Sequence, residues 1–383
     1  MAGHRSVEVC YVATYPPSRE ELGGSGWVDR RLLTVLTELA DDLEIVCLTG
    51  EPGSWSEQGV TARCAGGTPL QIRREPAALA RVAFGMLLTP QPYLARKFTA
   101  FHGWRGAVAL LAQRAAGRLV VTSGWPALLL AEASSVPVAV HLAHNVESDI
   151  AAEYAPPALR LLNEHGRLRR MEARLLRWPH SLYALSARDA VKLGSWGLPV
   201  TVLPVPLQPK ANGMTRPMAV GFIGTASWPP NERALSALLG PIHQQLSALG
   251  ADAVDVPYVL AGVGTEVYAA HPRVIAAGPV RDPADFYRRI GLIVVPRYGA
   301  STGISVKVLE AAEYGVASVL PAALAEAIDP EGPWLLAEGP DSTAAAIIRW
   351  QRGEAVPDAL GWARRRDHGR TADLLARALA CSG

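Results

Sequence analysis

A lysine and a glutamate, Lys307 and Glu310, stand three residues apart just beyond a corner of small residues in RYGASTGISVKVLEAAEYG (297–315). From Gly299 to Ile304 every residue except the last is small or flexible. The apolar run LIVVP (292–296) before this corner reads as a buried strand, and the Gly/Ser/Thr cluster as a tight turn. From Gly303 onward, Val306, Leu309 and Ala312 fall at helical spacing, and Gly315 is placed to end the helix. Strand, bare turn and helix together leave free N–H groups at the positive end of a helix dipole, where a pyrophosphate binds. Gly303, Lys307 and Glu310 share a face, so Lys307 can add charge to a phosphate. Glu310, about two turns in, can accept hydrogen bonds from sugar hydroxyls. Taken alone, the pattern is equally that of an ordinary strand–helix unit with an exposed Lys–Glu pair.

Other residues carry weaker signals. GGSG (23–26) follows the first strand and opens a helix expected over 27–41, so its N–H groups, with Gly24 among them, can hold phosphate or another oxygen. The bland reading is a flexible turn. His144 follows the strand VPVAVHL (136–142), and on its own reads as a core or loop histidine; His141 falls within that strand and reads as structural. No His/Cys cluster has zinc spacing and no Asp-x-Asp follows a strand, so no metal is expected.

These groups must be positioned by a long, well-patterned chain. Its 383 residues imply two domains, because single cores rarely grow past ~250–300 residues. A 49% hydrophobic and 19% charged composition is that of a folded globular protein, and a net charge of +2 gives no case for nucleic acid. The cysteines show no C-x-x-C spacing, and Cys10 and Cys47 fall in expected strands as small core residues. No signal-peptide pattern opens the sequence, and no stretch approaches ~18 uncharged apolar residues, so a cytoplasmic protein is expected. The preference for Ala, Leu, Arg and Gly over Lys suggests a GC-rich genome.

Short apolar runs alternate with helical patterns, the signature of parallel sheets covered by helices. Strands are expected at 7–13, 44–48, 118–122, 136–142, 181–185 and 200–205, with helices at 27–41 and 167–177 and a helical insertion over 70–116. PLQPKANGMTRP (206–217) is the clearest linker. Five strands follow, in AVGFIG, PYVLAG, RVIAAG, LIVVP and ASVLP. The expected fold class is α/β, with two doubly wound Rossmann-like domains, 1–206 and 207–383, facing across a cleft.

The order of AHNVESD (143–149), RRMEARLLRW (169–178), LSARDAVKL (185–193), FIGTASWPPNERAL (222–235), VLAGVG (259–264), AAGPVRDPADFYRR (276–289) and the Lys307 stretch resembles family-4 glycosyltransferases of the GT-B fold. The resemblance implies an N-terminal acceptor-binding domain and a C-terminal domain for the nucleotide sugar. It implies retaining transfer to an acceptor hydroxyl, of a small molecule, natural product or glycan. The leaving phosphate would take the acceptor proton, with no metal or other cofactor. It makes Glu310 the ribose-binding second glutamate of the family's paired-glutamate motif, and His144 the histidine that points at the transferred sugar. His144 and Lys307 form the implied catalytic set. The implied donor-binding set is Gly24, Gly224, Val280, Arg297, Ser301, Thr302, Gly303, Ile304, Lys307 and Glu310.

The sequence departs from that pattern twice. Thr302 stands at the first glutamate position, and FIGTASWPPN lacks the arginine and lysine that many members carry after the first donor-domain strand. Phosphate charge then falls to Lys307, Arg297 and the helix start. Two alternatives share the resemblance: a nucleotide-sugar epimerase of the same fold, and a non-catalytic sugar-nucleotide-binding partner. The basic segment RLRRMEARLLRW (167–178) reads first as a solvated helix face, and a weak membrane-surface contact is its second reading. The aromatic residues Trp55, Tyr93, Phe98, Phe101 and Trp104 are either acceptor-selecting or core. The sugar, the base, the acceptor and the oligomeric state are not encoded in any pattern found.

Overall fold

The computed structural model describes residues 6–18, 24–68, 75–210, 217–249, 256–299, 302–354, 357–366 and 368–382. The chain divides into two compact units, 1–205 with 368–383, and 206–367. The helix Gly369–Ser382, expected in the second unit, instead packs on the helix Gly24–Leu39 of the first, with Thr371 donating to the Pro204 carbonyl at 2.7 Å. Leu375 and Leu379 are its buried anchors.

In the first unit the strands are β1 (Glu8–Ala13), β2 (Asp42–Cys47), β3 (Gly53–Glu57), β4 (Val60–Cys64), β5 (Leu119–Ser123), β6 (Val140–Ala143), β7 (Ser181–Ala184) and β8 (Val200–Val202). They form one sheet in the order β3-β4-β2-β1-β5-β6-β7-β8, parallel except where β3 meets β4. Val9 to Ala13 of β1 are fully buried, as expected for a central strand covered by helices on both faces. The β3–β4 hairpin is an addition to the expected strands. Its turn places Gln58 and Gly59 at φ 52° and 83°, the doubly left-handed geometry that suits a two-residue hairpin.

The region 70–116 is helical as expected where it is described, with helices Pro76–Leu88, Tyr93–Thr99 and Trp104–Arg114. Phe98 and Phe101 are 3% exposed and Trp104 9%, so these aromatic residues are core; Trp55 and Tyr93 are half-buried. Phe101 and Trp104 also line a cavity of about 430 Å³, together with Arg81, Arg96, His102 and Arg105. The basic segment forms the helix Glu164–Leu175, with Arg169 and Arg170 exposed. Glu172, which breaks that run, is buried and accepts the N–H groups of Glu147 and Ser148 at 2.7 and 3.1 Å. It thereby closes the start of the helix Glu147–Tyr154.

The second unit carries β9 (Val220–Ile223), β10 (Tyr258–Ala261), β11 (Val274–Gly278), β12 (Leu292–Val294), β13 (Ala317–Leu320) and β14 (Trp334–Leu336). All pairings are parallel, in the order β11-β10-β9-β12-β13-β14. That is the doubly wound order, with the chain reversing direction across the sheet between β9 and β12. Five of its strands match the expected runs, and β14 is the sixth. The start of the expected linker is anchored to this unit, since Gln208 donates to Glu313 at 2.6 Å and Leu207 to the Arg366 carbonyl at 3.3 Å. Among the described residues, no helix is long and apolar enough to cross a membrane.

Candidate functional site

Ligands of doubly wound sheets bind beyond the strand ends where the order reverses. In the second unit that place lies between the loops that follow β9 and β12. The β9 loop leads through Gly224 to the helix Pro229–Ala237, and the β12 loop passes Arg297 and enters the helix Val306–Glu313.

The first loop fits only because it is bare. Gly224 has φ 148°, and a Cβ there would lie 2.6 Å from Asn231 Nδ2 and 3.2 Å from Lys307 Nζ. Gly262, at the end of β10 with φ 112°, abuts it so closely that a Cβ would lie 2.3 Å from the Gly224 carbonyl oxygen. Backbone packed on backbone leaves the strand end open, the role glycine plays where a ligand must approach the chain.

Lys307 extends its ammonium into this corner. Nζ donates to Asn231 Oδ1 at 2.9 Å and stands 3.9 Å from the centre of the Phe222 ring. The Asn231 amide is oriented by its own bond from Nδ2 to the Thr225 carbonyl at 2.9 Å. Burial, and then the nearby Arg297 charge, hold the lysine well below its ordinary range. Arg297 places its guanidinium 5.2 Å from the centre of the Trp228 ring. Two cations converging on a partly dry corner favour an anion between or beside them.

The helix start differs from the expectation in one respect. It begins at Val306 with Ser305 as N-cap, not at Gly303, so Lys307 lies in the first turn. Gly303 adopts φ 72°, which takes the chain off a helical path before the cap. The Ser305 hydroxyl is buried and makes no hydrogen bond, so the N-cap side chain does not cap the helix. The other end agrees with the sequence, because Gly315 has φ 63° and follows the last helical turn.

Glu310 is 8% exposed, and its Oε2 accepts the Tyr287 hydroxyl at 3.0 Å. Tyr287 also reaches the Lys307 carbonyl at 3.3 Å and stacks on Tyr314, with ring centres 4.8 Å apart. Burial, and then the Glu310 charge, push the Tyr287 phenol well up, so it stays a donor and fixes the carboxylate. The Lys–Glu pair is therefore not an exposed surface pair. Asn231 and Tyr287 were not singled out in the sequence, where each is only one polar residue in a longer block.

The remaining expected donor residues are dispersed. Gly303 is buried, while Thr302 and Ile304 are half-buried in the same loop; Ser301 lies outside the described residues. Val280 is half-buried beyond β11, two strands from β9, and Gly24 lies exposed in the first unit at the start of the helix Gly24–Leu39.

The first unit has its own reversal point, between β1 and β5, and a polar cluster is buried there. Asp29, on the helix Gly24–Leu39, is 2% exposed, and its Oδ1 accepts the hydroxyls of Tyr11 (2.7 Å) and Ser123. Ser123 Oγ lies 2.7 Å from Nε2 of His144, which follows β6 as expected. Burial raises Asp29 and lowers His144, each partly offset by the other's charge. His141 is structural: Nδ1 meets Thr122 Oγ1 at 2.8 Å, and burial, with His144 nearby, pushes it down to about 3. Among the described residues no group of three or more His, Cys, Asp or Glu could hold a metal ion.

Two doubly wound units, with a cation corner at the strand-order reversal of the second, define the GT-B class of glycosyltransferase folds. Solved structures agree on that fold. Sucrose-phosphate synthase from Thermosynechococcus elongatus superposes with a TM-score of 0.69 at 14% identity, covering 98% of this chain and 100% of that one. HepE from Anabaena, solved with UDP and glucose, gives 0.67 at 12% identity over 98% and 100%. An α,α-trehalose 6-phosphate synthase from Burkholderia multivorans gives 0.65 at 14% identity over 98% and 99%. Residues 217–352, within the second unit, match the family model "Glycosyl transferases group 1". No curated protein sequence matches the chain.

Proposed function

We propose that this protein transfers a sugar from a nucleoside diphosphate sugar to an acceptor hydroxyl with retention of configuration. The observation that carries the reading is the Lys307 corner: a half-buried lysine near the Arg297 charge, at a helix start that its N-cap Ser305 does not cap, facing a strand end kept bare by Gly224. Lys307, Arg297 and the N–H groups of that helix hold the diphosphate. Glu310, oriented by Tyr287, accepts the ribose hydroxyls. His144 touches the transferred sugar, and the departing phosphate takes the acceptor proton. Catalysis is then positioning and charge stabilisation, with no protein nucleophile. Lys307 and Arg297 supply the positive charge that a metal would otherwise bring, so turnover is independent of divalent cations. The reading places the enzyme in a bacterial cytoplasm.

The division of labour is testable. His144→Ala lowers turnover much more than nucleotide affinity, because its partner is the sugar, whereas Lys307→Ala lowers both. Wild-type turnover in His144→Ala, or equal loss of turnover and nucleotide affinity, would remove His144 from the reacting sugar.

A further inference from the structure

Asp29 is a buried carboxylate without a cationic side chain in contact. Among the described residues no lysine or arginine lies within ion-pair distance of it, and Arg30 acts only as a more distant charge. The nearest basic group to it is His144, with Nε2 3.9 Å from Oδ1. Burying such a group is expensive unless its hydrogen bonds are made and a function retains it.

The hydrogen bonds dictate where protons sit. With the carboxylate ionised, both Tyr11 and Ser123 must donate to Oδ1. The single Ser123 proton is then committed to Asp29, so Ser123 Oγ can only accept from His144. Nε2 therefore carries the imidazole hydrogen, and Nδ1 is left with its lone pair. No described residue hydrogen-bonds Nδ1. Serine, histidine and aspartate are all present, but the order is wrong for a nucleophile. Here the carboxylate holds the serine, and the histidine donates to that serine instead of taking its proton.

We propose that Ser123 and Asp29 are positioning residues for His144, locking its ring in the Nε2–H tautomer so that Nδ1 accepts a hydrogen bond from a substrate hydroxyl. The inference rests on the reading that His144 faces the transferred sugar. Its geometric part stands on three elements, since Tyr11 comes from β1, Asp29 from the helix Gly24–Leu39 and Ser123 from the end of β5. β6 delivers His144. Asp29 also biases the ring toward protonation, against the effect of its burial.

Nuclear magnetic resonance on the full chain with isotope-labelled histidine reads the tautomer directly, the His144 signals being those lost in His144→Gln. The wild type shows the hydrogen on Nε2. Ser123→Ala mixes or reverses the tautomers, and Ser123→Thr, which keeps the hydroxyl, restores the original one. Asp29→Asn preserves the shape, keeps the tautomer and moves the His144 titration to lower pH. A wild-type hydrogen on Nδ1, an unchanged tautomer in Ser123→Ala, or an unmoved titration in Asp29→Asn overturns the proposal. The measurement needs no substrate, so it separates failure of the positioning chain from failure of the sugar-facing reading, which His144→Ala turnover tests.

Discussion

Lys307 Nζ lies 2.9 Å from Asn231 Oδ1, so the ammonium's hydrogen-bond partner is a neutral amide. Among the described residues no carboxylate is within ion-pair distance of it. An amide and the Phe222 ring face orient the charge without neutralising it. The charge thus remains available to a diphosphate. Lys307→Ala is expected to weaken a nucleoside diphosphate roughly tenfold to a hundredfold, the worth of one charge-assisted hydrogen bond. The matching uncharged nucleoside should be little affected, and salt dependence should become shallower. Calorimetry with both ligands at two ionic strengths checks this; equal losses would make Lys307 structural.

The same lysine makes binding depend on pH. Burial and the Arg297 charge lower its pKa in the free protein, whereas a bound diphosphate favours the ammonium. The free protein therefore releases this proton at lower pH than the complex does. Binding takes up a proton between those two values, and affinity falls as pH rises through that window. Titrations in buffers of different ionisation enthalpy measure the uptake. Uptake that persists unchanged in Lys307→Ala contradicts the assignment.

Glu310 should act on a different part of the ligand. Glu310→Ala is expected to cost the nucleoside and its diphosphate alike, by about 1.5–3 kcal/mol, because both present ribose hydroxyls. Tyr287→Phe removes only the hydroxyl that orients the carboxylate and should cost less than Glu310→Ala. Unchanged affinity in a folded Glu310→Ala protein would exclude it from the site.

A further prediction concerns stability. Burial raises both Glu147 and Glu172 from 4.5 to about 7. Each binds its proton more tightly in the folded chain, so their contribution is fully present below the unfolded value and is lost as pH rises to about 7. The unfolding free energy from urea titrations should decline across that window, and less steeply in Glu147→Gln. An identical slope in the variant would contradict the shift.

Much of this was legible in the sequence because parallel strands buried on both faces are continuous apolar runs, as in LIVVP and AVGFIG. Gly315 and the Lys307–Glu310 spacing were legible because helical geometry is local. The β3–β4 hairpin was not, since GSWSE is polar and Gln58 is an unusual occupant of a left-handed turn position. The return of Gly369–Ser382 to the first unit depends on partners such as Pro204, far away in sequence. Asp29 and Ser123 were missed for the same reason. They lie 94 residues apart, and only the adjacency of β1 and β5 brings them to one histidine.

The central claim is retaining sugar transfer, and product analysis tests it most directly. The protein would be incubated with a panel of nucleoside diphosphate sugars, with and without hydroxyl acceptors, in excess chelator, and the product linkage read by mass spectrometry and magnetic resonance. The account predicts release of nucleoside diphosphate only with a suitable acceptor, a glycoside with the donor's anomeric configuration, and the same rate without chelator. Conversion of the donor sugar in the absence of acceptor, an inverted linkage, or activity restored only by magnesium or manganese would contradict it.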